Sequence, residues 1–195
     1  MRTHGRHRTD RIEVTPLSPE DLDHRLLVAL RDCGADARVA AVARALSRGG
    51  EHGALWLAAG LAGAAADRPR RRTWLRGTAL IGGAHLASMA LKRAVRRPRP
   101  RVADLAPLVR TAGEHSFPSS HATSAAAAVV ALGALRPAGA ALPVLAAAVC
   151  VSRIVVGVHY PTDVVAGAAL GALTARAGAG WMHAAVSASP GGTHG

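Results

Sequence analysis

Three short clusters carry side chains suited to holding and cleaving a phosphate ester. The first is Lys92, then six residues, then Arg99-Pro100. An ammonium is a compact charge and a guanidinium a flat two-pronged donor, so the pair grips phosphate oxygens in complementary ways. The second is Pro118-Ser119-Ser120-His121. A helix that starts there offers free backbone N–H groups to an anion, with the Ser119 hydroxyl and a histidine beside them. The third is Ser152-Arg153, five residues, His159, three residues, Asp163. A carboxylate that accepts from one imidazole nitrogen sets the tautomer and leaves the other nitrogen free as a nucleophile. Each cluster also has a plainer reading: a polybasic stretch against anionic headgroups, a serine helix cap with a surface histidine, and a capping aspartate beside an interfacial histidine. Arg153, placed inside an apolar run, speaks against the last of these.

The elements that must position these clusters are helices. The Pro-Arg-Pro stretch ends one helix before Pro98, which leaves Lys92 in its last turns and Arg99 in an extended bracket. Pro118 and the serines stop an irregular segment, and the alanine-rich run from Ser119 to Leu135 follows. Ala140 to Val158 is apolar except for Ser152 and Arg153, and Tyr160-Pro161-Thr162 breaks it before a last helix from Asp163 to about Val186. Gly167 and Gly171 there have the spacing of closely packed helices. Upstream, Ser18-Pro19-Glu20-Asp21 is a helix start. Leucines and alanines from Leu22 to Ala40 then recur at helical spacing among charges, which predicts an amphipathic helix at a membrane surface. His52 to Ala66 and Trp74 to Val95 are further apolar helices, with Trp74 placed as an interfacial anchor. The connection from Arg96 to Pro118 is long and irregular. Residues 1–17 read as a disordered basic tail, 18–186 as one domain and 187–195 as a second disordered tail.

Half of the 195 residues are hydrophobic and only 3% are aromatic, so the apolar matter is Ala, Val, Leu and Gly. Small-residue runs of this kind suit helices packed in a membrane. The fold expected is an all-α integral membrane bundle of about five to six helices with an amphipathic N-terminal helix. The net charge is +12, nearly all of it from arginine. Interleaved aromatics and zinc-ligand spacing are both missing, which turns that charge away from nucleic acid and toward lipid or phosphate. Cys33 and Cys150 lie far apart in apolar or helical settings and read as structural thiols. The basic first residues show no secretory signal, so the chain's own spans would have to insert it. Ionisable side chains at the ends of membrane helices are expensive, and the cluster of Lys92, the Arg96–Arg101 run, His121, Arg153, His159 and Asp163 therefore marks a functional site.

Taken in order, the three clusters resemble the signature of the type 2 phosphatidic acid phosphatase superfamily, which also holds bacterial acid phosphatases and vanadium haloperoxidases. That signature is K-x6-R-P, then P-S-G-H, then S-R-x5-H-x3-D, and it spans Lys92 to Asp163 here. Ser120 departs from it, standing where the pattern usually has glycine. The resemblance implies a phosphohydrolase that needs no metal or cofactor. His159 would attack phosphorus and form a phosphohistidine, oriented by Asp163. His121 would protonate the leaving oxygen and then activate water. Lys92, Arg99, Ser119, Ser120 and Arg153 would bind the phosphate oxygens. Glu114 and His115 are candidates for a headgroup pocket.

The chain looks most like the compact actinobacterial branch of the superfamily. This implies a membrane lipid phosphate as substrate, polyprenyl-linked, with decaprenylphosphoryl 5-phosphoribose or undecaprenyl diphosphate ahead of phosphatidic acid. The expected location is the bacterial plasma membrane. Counting basic residues favours a site on the cytoplasmic face if the first helix does not cross. The sequence leaves oligomeric state open. Two rivals stand beside this reading: a vanadate-dependent haloperoxidase, for which the chain lacks bulk, and a non-catalytic membrane scaffold or transporter, which leaves the three clusters unexplained.

Overall fold

The computed structural model describes residues 18–101, 106–135 and 141–184, and among these the regular structure is all helical. Eight α-helices follow in order: α1 Pro19–Asp32, α2 Ala37–Gly49, α3 Ala54–Ala66, α4 Arg71–Val95, α5 Ser120–Gly133, α6 Ala141–Val155, α7 Pro161–Ala177 and α8 Ala179–His183. The expected tails at 1–17 and 187–195 and the turn at Arg136–Gly139 lie outside the described residues.

Local chemistry sets the boundaries. Ser18 caps α1 in a reciprocal capping box with Asp21. The single amphipathic helix expected from Leu22 to Ala40 is two helices. Gly34 sits in a 3-10 turn, and the Asp36 carboxylate then accepts from the N–H groups of Arg38 and Val39 and starts α2 afresh. His52 and Gly53 both adopt left-handed backbone before α3. Arg96 does the same after α4, and Pro98 prevents the helix from resuming. Pro161 opens α7, and the Asp163 side chain accepts from Tyr160 N at 2.8 Å. The last helix divides at Gly178, which packs against Leu80.

α5 is the centre of the bundle, with α4, α6 and α7 all packed on it, α3 on α4 and α2 on α6. Its buried residues include Ala122, Ala125, Ala127, Ala128 and Ala131. Short side chains let three neighbours approach one helix. α7 comes closest, because a Cβ on Gly167 or Gly171 would overlap the carbonyl oxygens of Ser119 and Thr123. Trp74 is no interfacial anchor. It is buried, its ring lies against Gly63, and its indole N–H donates to Asp67 at 3.2 Å.

None of the described helices is both long and apolar enough to cross a membrane. α3, α5, α6 and α7 run 13 to 17 residues, a rise of roughly 20–25 Å against a hydrocarbon core of about 30 Å. α4 has 25 residues but carries arginines in its first turns and Lys92 and Arg93 in its last. Apolar side chains nevertheless face outward, among them Leu61, Leu86, Val144, Val165 and Leu173.

The α5–α7 contact makes a paired prediction. Gly171→Ala forces two backbones apart and should cost about 1–3 kcal/mol, read as a lower thermal midpoint. Gly83→Ala, where an added Cβ meets nothing within 4 Å, should be neutral or stabilising by up to about 1 kcal/mol.

Candidate active site

The three clusters, spread over 72 residues of chain from Lys92 to Asp163, meet at one end of the bundle. Lys92, Arg99, Ser120, His121, Arg153 and His159 line a common cavity of about 730 Å³, with Glu114 and His115 on its loop side. Ser119 and Asp163 stand behind that lining, fully buried.

The cations are held by backbone carbonyls. Lys92, near the end of α4, donates to Pro118 O at 2.8 Å, Ser116 O at 3.0 Å and His115 O at 3.4 Å. It thereby fastens the segment before α5 to α4. Arg99 donates through Nε to Gly113 O at 2.7 Å and through Nη1 to Val158 O at 2.9 Å, so it ties two loops together. Burial lowers its affinity for a proton, and the nearby Asp163 opposes that effect. The irregular connection closes on itself: Pro98 and His115 form an isolated antiparallel bridge, and Ser116 N donates to Arg97 O at 2.8 Å.

The opening turn of α5 differs from expectation in one respect. Ser119 N is not free for an anion, because it donates to Asp163 O at 2.9 Å. The Ser119 hydroxyl has no hydrogen-bond partner among the described residues. Ser120 is the first residue of α5, and its backbone lies outside the left-handed region. A side chain is therefore tolerated where the signature has glycine, and the hydroxyl accepts from Ser88 Oγ at 2.8 Å.

His121 places Nε2 2.9 Å from Ser47 O, at the end of α2. A carbonyl only accepts, so Nε2 carries the proton and Nδ1 is the uncommitted ring nitrogen. Arg153 reaches the same residue from the other side, donating to the Ser47 hydroxyl. No spacing in the sequence ties Ser47 to the site, since it lies over seventy residues from both partners.

His159 follows α6 in a tight turn, and Asp163 faces it from the first turn of α7. Their Nδ1 and Oδ2 atoms are 3.6 Å apart, a few tenths of an ångström beyond a hydrogen bond. Burial holds the His159 ring far below the usual histidine value, at about 3; Asp163 opposes this, while Arg153, Lys92 and Arg99 reinforce it. The imidazole is thus neutral at neutral pH. Arg97-Pro98 is a second Arg-Pro pair, separated from Lys92 by four residues rather than six. In the structure Arg97 Nη1 donates to Asp163 Oδ1 at 2.9 Å.

Comparison with known proteins identifies the family. The family model described as "PAP2 superfamily" matches residues 73–187, more than half of the chain, and the chain belongs to that superfamily. It is 49% identical over 126 residues to the decaprenylphosphoryl-5-phosphoribose phosphatase of Mycolicibacterium smegmatis, covering 64% of this chain and 69% of that protein. It is 48% identical over 133 residues to the protein of the same name from Mycobacterium tuberculosis, covering 68% and 74%. Among solved structures, a transmembrane PAP2 type phosphatidylglycerolphosphate phosphatase from Bacillus subtilis matches with a TM-score of 0.49 and 26% identity, over 85% of this chain and 78% of that one.

The buried neutral His159 has a consequence for stability. Its folded pKa of about 3 lies below the unfolded value of about 6.5. Between those values the unfolded chain binds the proton and the folded one does not, so stability falls as pH drops below about 6.5, by at most about 1.4 kcal/mol per pH unit. Thermal midpoints measured between about pH 7 and pH 5 should fall more steeply for the native chain than for His159→Gln.

Proposed function

We propose that this chain hydrolyses the phosphate of a membrane lipid, polyprenyl-linked and best represented by decaprenylphosphoryl 5-phosphoribose, through a phosphohistidine on His159. The observation that carries this reading is the convergence of Lys92, Arg99, Ser120, His121, Arg153 and His159 on one cavity. The names of the mycobacterial relatives support the substrate. So does the size of the cavity, which exceeds a phosphate group and extends past Glu51, His52, His85 and Met89. The outward apolar side chains on α3, α4, α6 and α7 support a seat in the lipid bilayer.

The steps follow from the arrangement. Phosphate oxygens are held by Lys92, Arg99, Arg153 and the Ser120 N–H, with the Ser119 hydroxyl behind them. His159 Nε2 attacks phosphorus in line as the ester oxygen leaves, and the imidazolium that forms is stabilised by Asp163. With the phosphate dianion bound beside it, His121 takes a second proton on Nδ1 from solvent and gives that proton to the leaving oxygen, keeping Nε2–H on Ser47 O. It then takes one from the water that cleaves the phosphorus–nitrogen bond, releasing phosphate and restoring both histidines. No step calls for a metal ion.

Phosphate release from decaprenylphosphoryl 5-phosphoribose, undecaprenyl diphosphate and phosphatidate by detergent-purified protein tests this reading. The expected order favours the sugar phosphate, with activity kept in EDTA and reduced at least about a thousandfold in His159→Ala. Equal release by the two proteins, or loss of native activity to the chelator, would sink the mechanism.

A further inference from the structure

α1 lies outside the span 73–187 that matches the family model, yet it reaches the catalytic pair. The helix turns Leu22 and Leu26 outward, 46% and 51% exposed, and buries Asp23 to 3%. A buried carboxylate has to be paired and hydrogen-bonded, and Asp23 is. It accepts from Arg97 Nη2 at 2.9 Å, from Thr162 N at 2.9 Å and from the Thr162 hydroxyl. Arg97 uses its other terminal nitrogen on Asp163 Oδ1 at 2.9 Å and on Thr162 Oγ1 at 2.7 Å. Its plane lies over the Tyr160 ring, 4.2 Å from the centroid. One guanidinium therefore bridges two carboxylates. The first belongs to α1, and the second is the one that faces His159.

We infer that Asp23 and Arg97 are positioning residues for hydrolysis and that α1 completes the active site. Arg97 claims Oδ1 of Asp163 and Tyr160 N–H claims one side of Oδ2, so the carboxylate cannot rotate and Oδ2 stays toward His159 Nδ1. Asp23 does a second thing. Arg97 alone would neutralise Asp163 and weaken its hold on the imidazolium that forms during attack. With Asp23 included, the three charged groups sum to minus one, and Asp163 keeps the basicity its role needs. Thr162, held at both backbone and hydroxyl by Asp23, fixes the turn between His159 and α7 from the same side.

The kinetic arm of the test rests on the phosphatase reading; the spectroscopic arm does not. The variants are Asp23→Asn, Arg97→Lys and Arg97→Ala in the full chain, assayed in detergent with p-nitrophenyl phosphate as probe. Each should lower kcat on the order of tenfold or more with KM changed less than about twofold, since no substrate contact is lost. Guanidinium ion should restore Arg97→Ala several-fold and leave His159→Ala and Asp163→Ala unmoved. In parallel, nitrogen-15 NMR of labelled histidine should show His159 with its proton on Nδ1 in the native chain, and a mixed tautomer in Asp23→Asn and Arg97→Ala. A loss carried by KM, a fall in thermal midpoint at native kcat, or no rescue by guanidinium would each overturn the proposal. If the native chain hydrolyses no more than His159→Ala, the phosphatase reading fails. The tautomer spectra then decide alone: an unchanged His159 signal in both variants overturns the positioning role, and a shifted one upholds it.

Discussion

The contact on which the site depends is the close approach of α5 and α7. Gly167 and Gly171 let the α7 backbone lie against the carbonyl oxygens of Ser119 and Thr123. The hydrogen bond from Ser119 N to Asp163 O closes the open end of the same seam. Together these join the turn that carries His121 to the turn that carries His159 and Asp163. With larger residues the helices would stand apart and the two histidines would no longer share a cavity. The alanines of α5 extend the logic to α4 and α6, because a thin central helix is what lets Lys92 and Arg153 reach the same place from opposite sides.

Concentrating positive charge in a half-buried cavity is unfavourable unless something compensates it. Here the compensation comes chiefly from loop carbonyls, with Asp163 and Glu51 adding charge nearby. Lys92 is surrounded by three carbonyls and Arg99 by two, while Arg153 leans on Ser47. Carbonyl dipoles hold a cation in place without neutralising it, so the charge stays available to an anionic substrate. The same bonds fasten the 97–101 and 113–118 segments to the helices. The long irregular connection is thus tied down where it touches the site, and the cations of the cavity also organise their own support.

Much of the site was legible in the sequence. Lys92…Arg99-Pro100, the Pro118–His121 turn and Arg153…His159…Asp163 could be read from spacing, because proline and serine chemistry place them at helix ends whatever the tertiary packing. The α1 cap, the break before α7 and the close-packing glycines were legible for similarly local reasons. Three readings failed, each at a contact that the apolar and polar pattern did not select. Trp74 is apolar with one polar atom and suits either an interface or a core; Gly63 and Asp67 draw it inward. The helix read from Leu22 through Ala40 keeps its apolar spacing across Gly34, and only the Asp36 cap shows that the backbone restarts. Ser119 N, free in any local reading, is taken by Asp163 O.

The sequence by itself determined the class of chemistry, the helical ends that present it and the membership that the family match states. These follow from residue types at short fixed separations, where backbone geometry leaves little choice. Tertiary structure alone decided how the site is completed: Ser47 beneath His121 and Arg153, Ser88 beside Ser120, and Asp23 reaching Asp163 through Arg97. Asp23 and Asp163 are 140 residues apart in the chain, and no local rule relates them. The packing of α1 against α6 and α7 brings a carboxylate that no sequence motif singles out into the neighbourhood of His159.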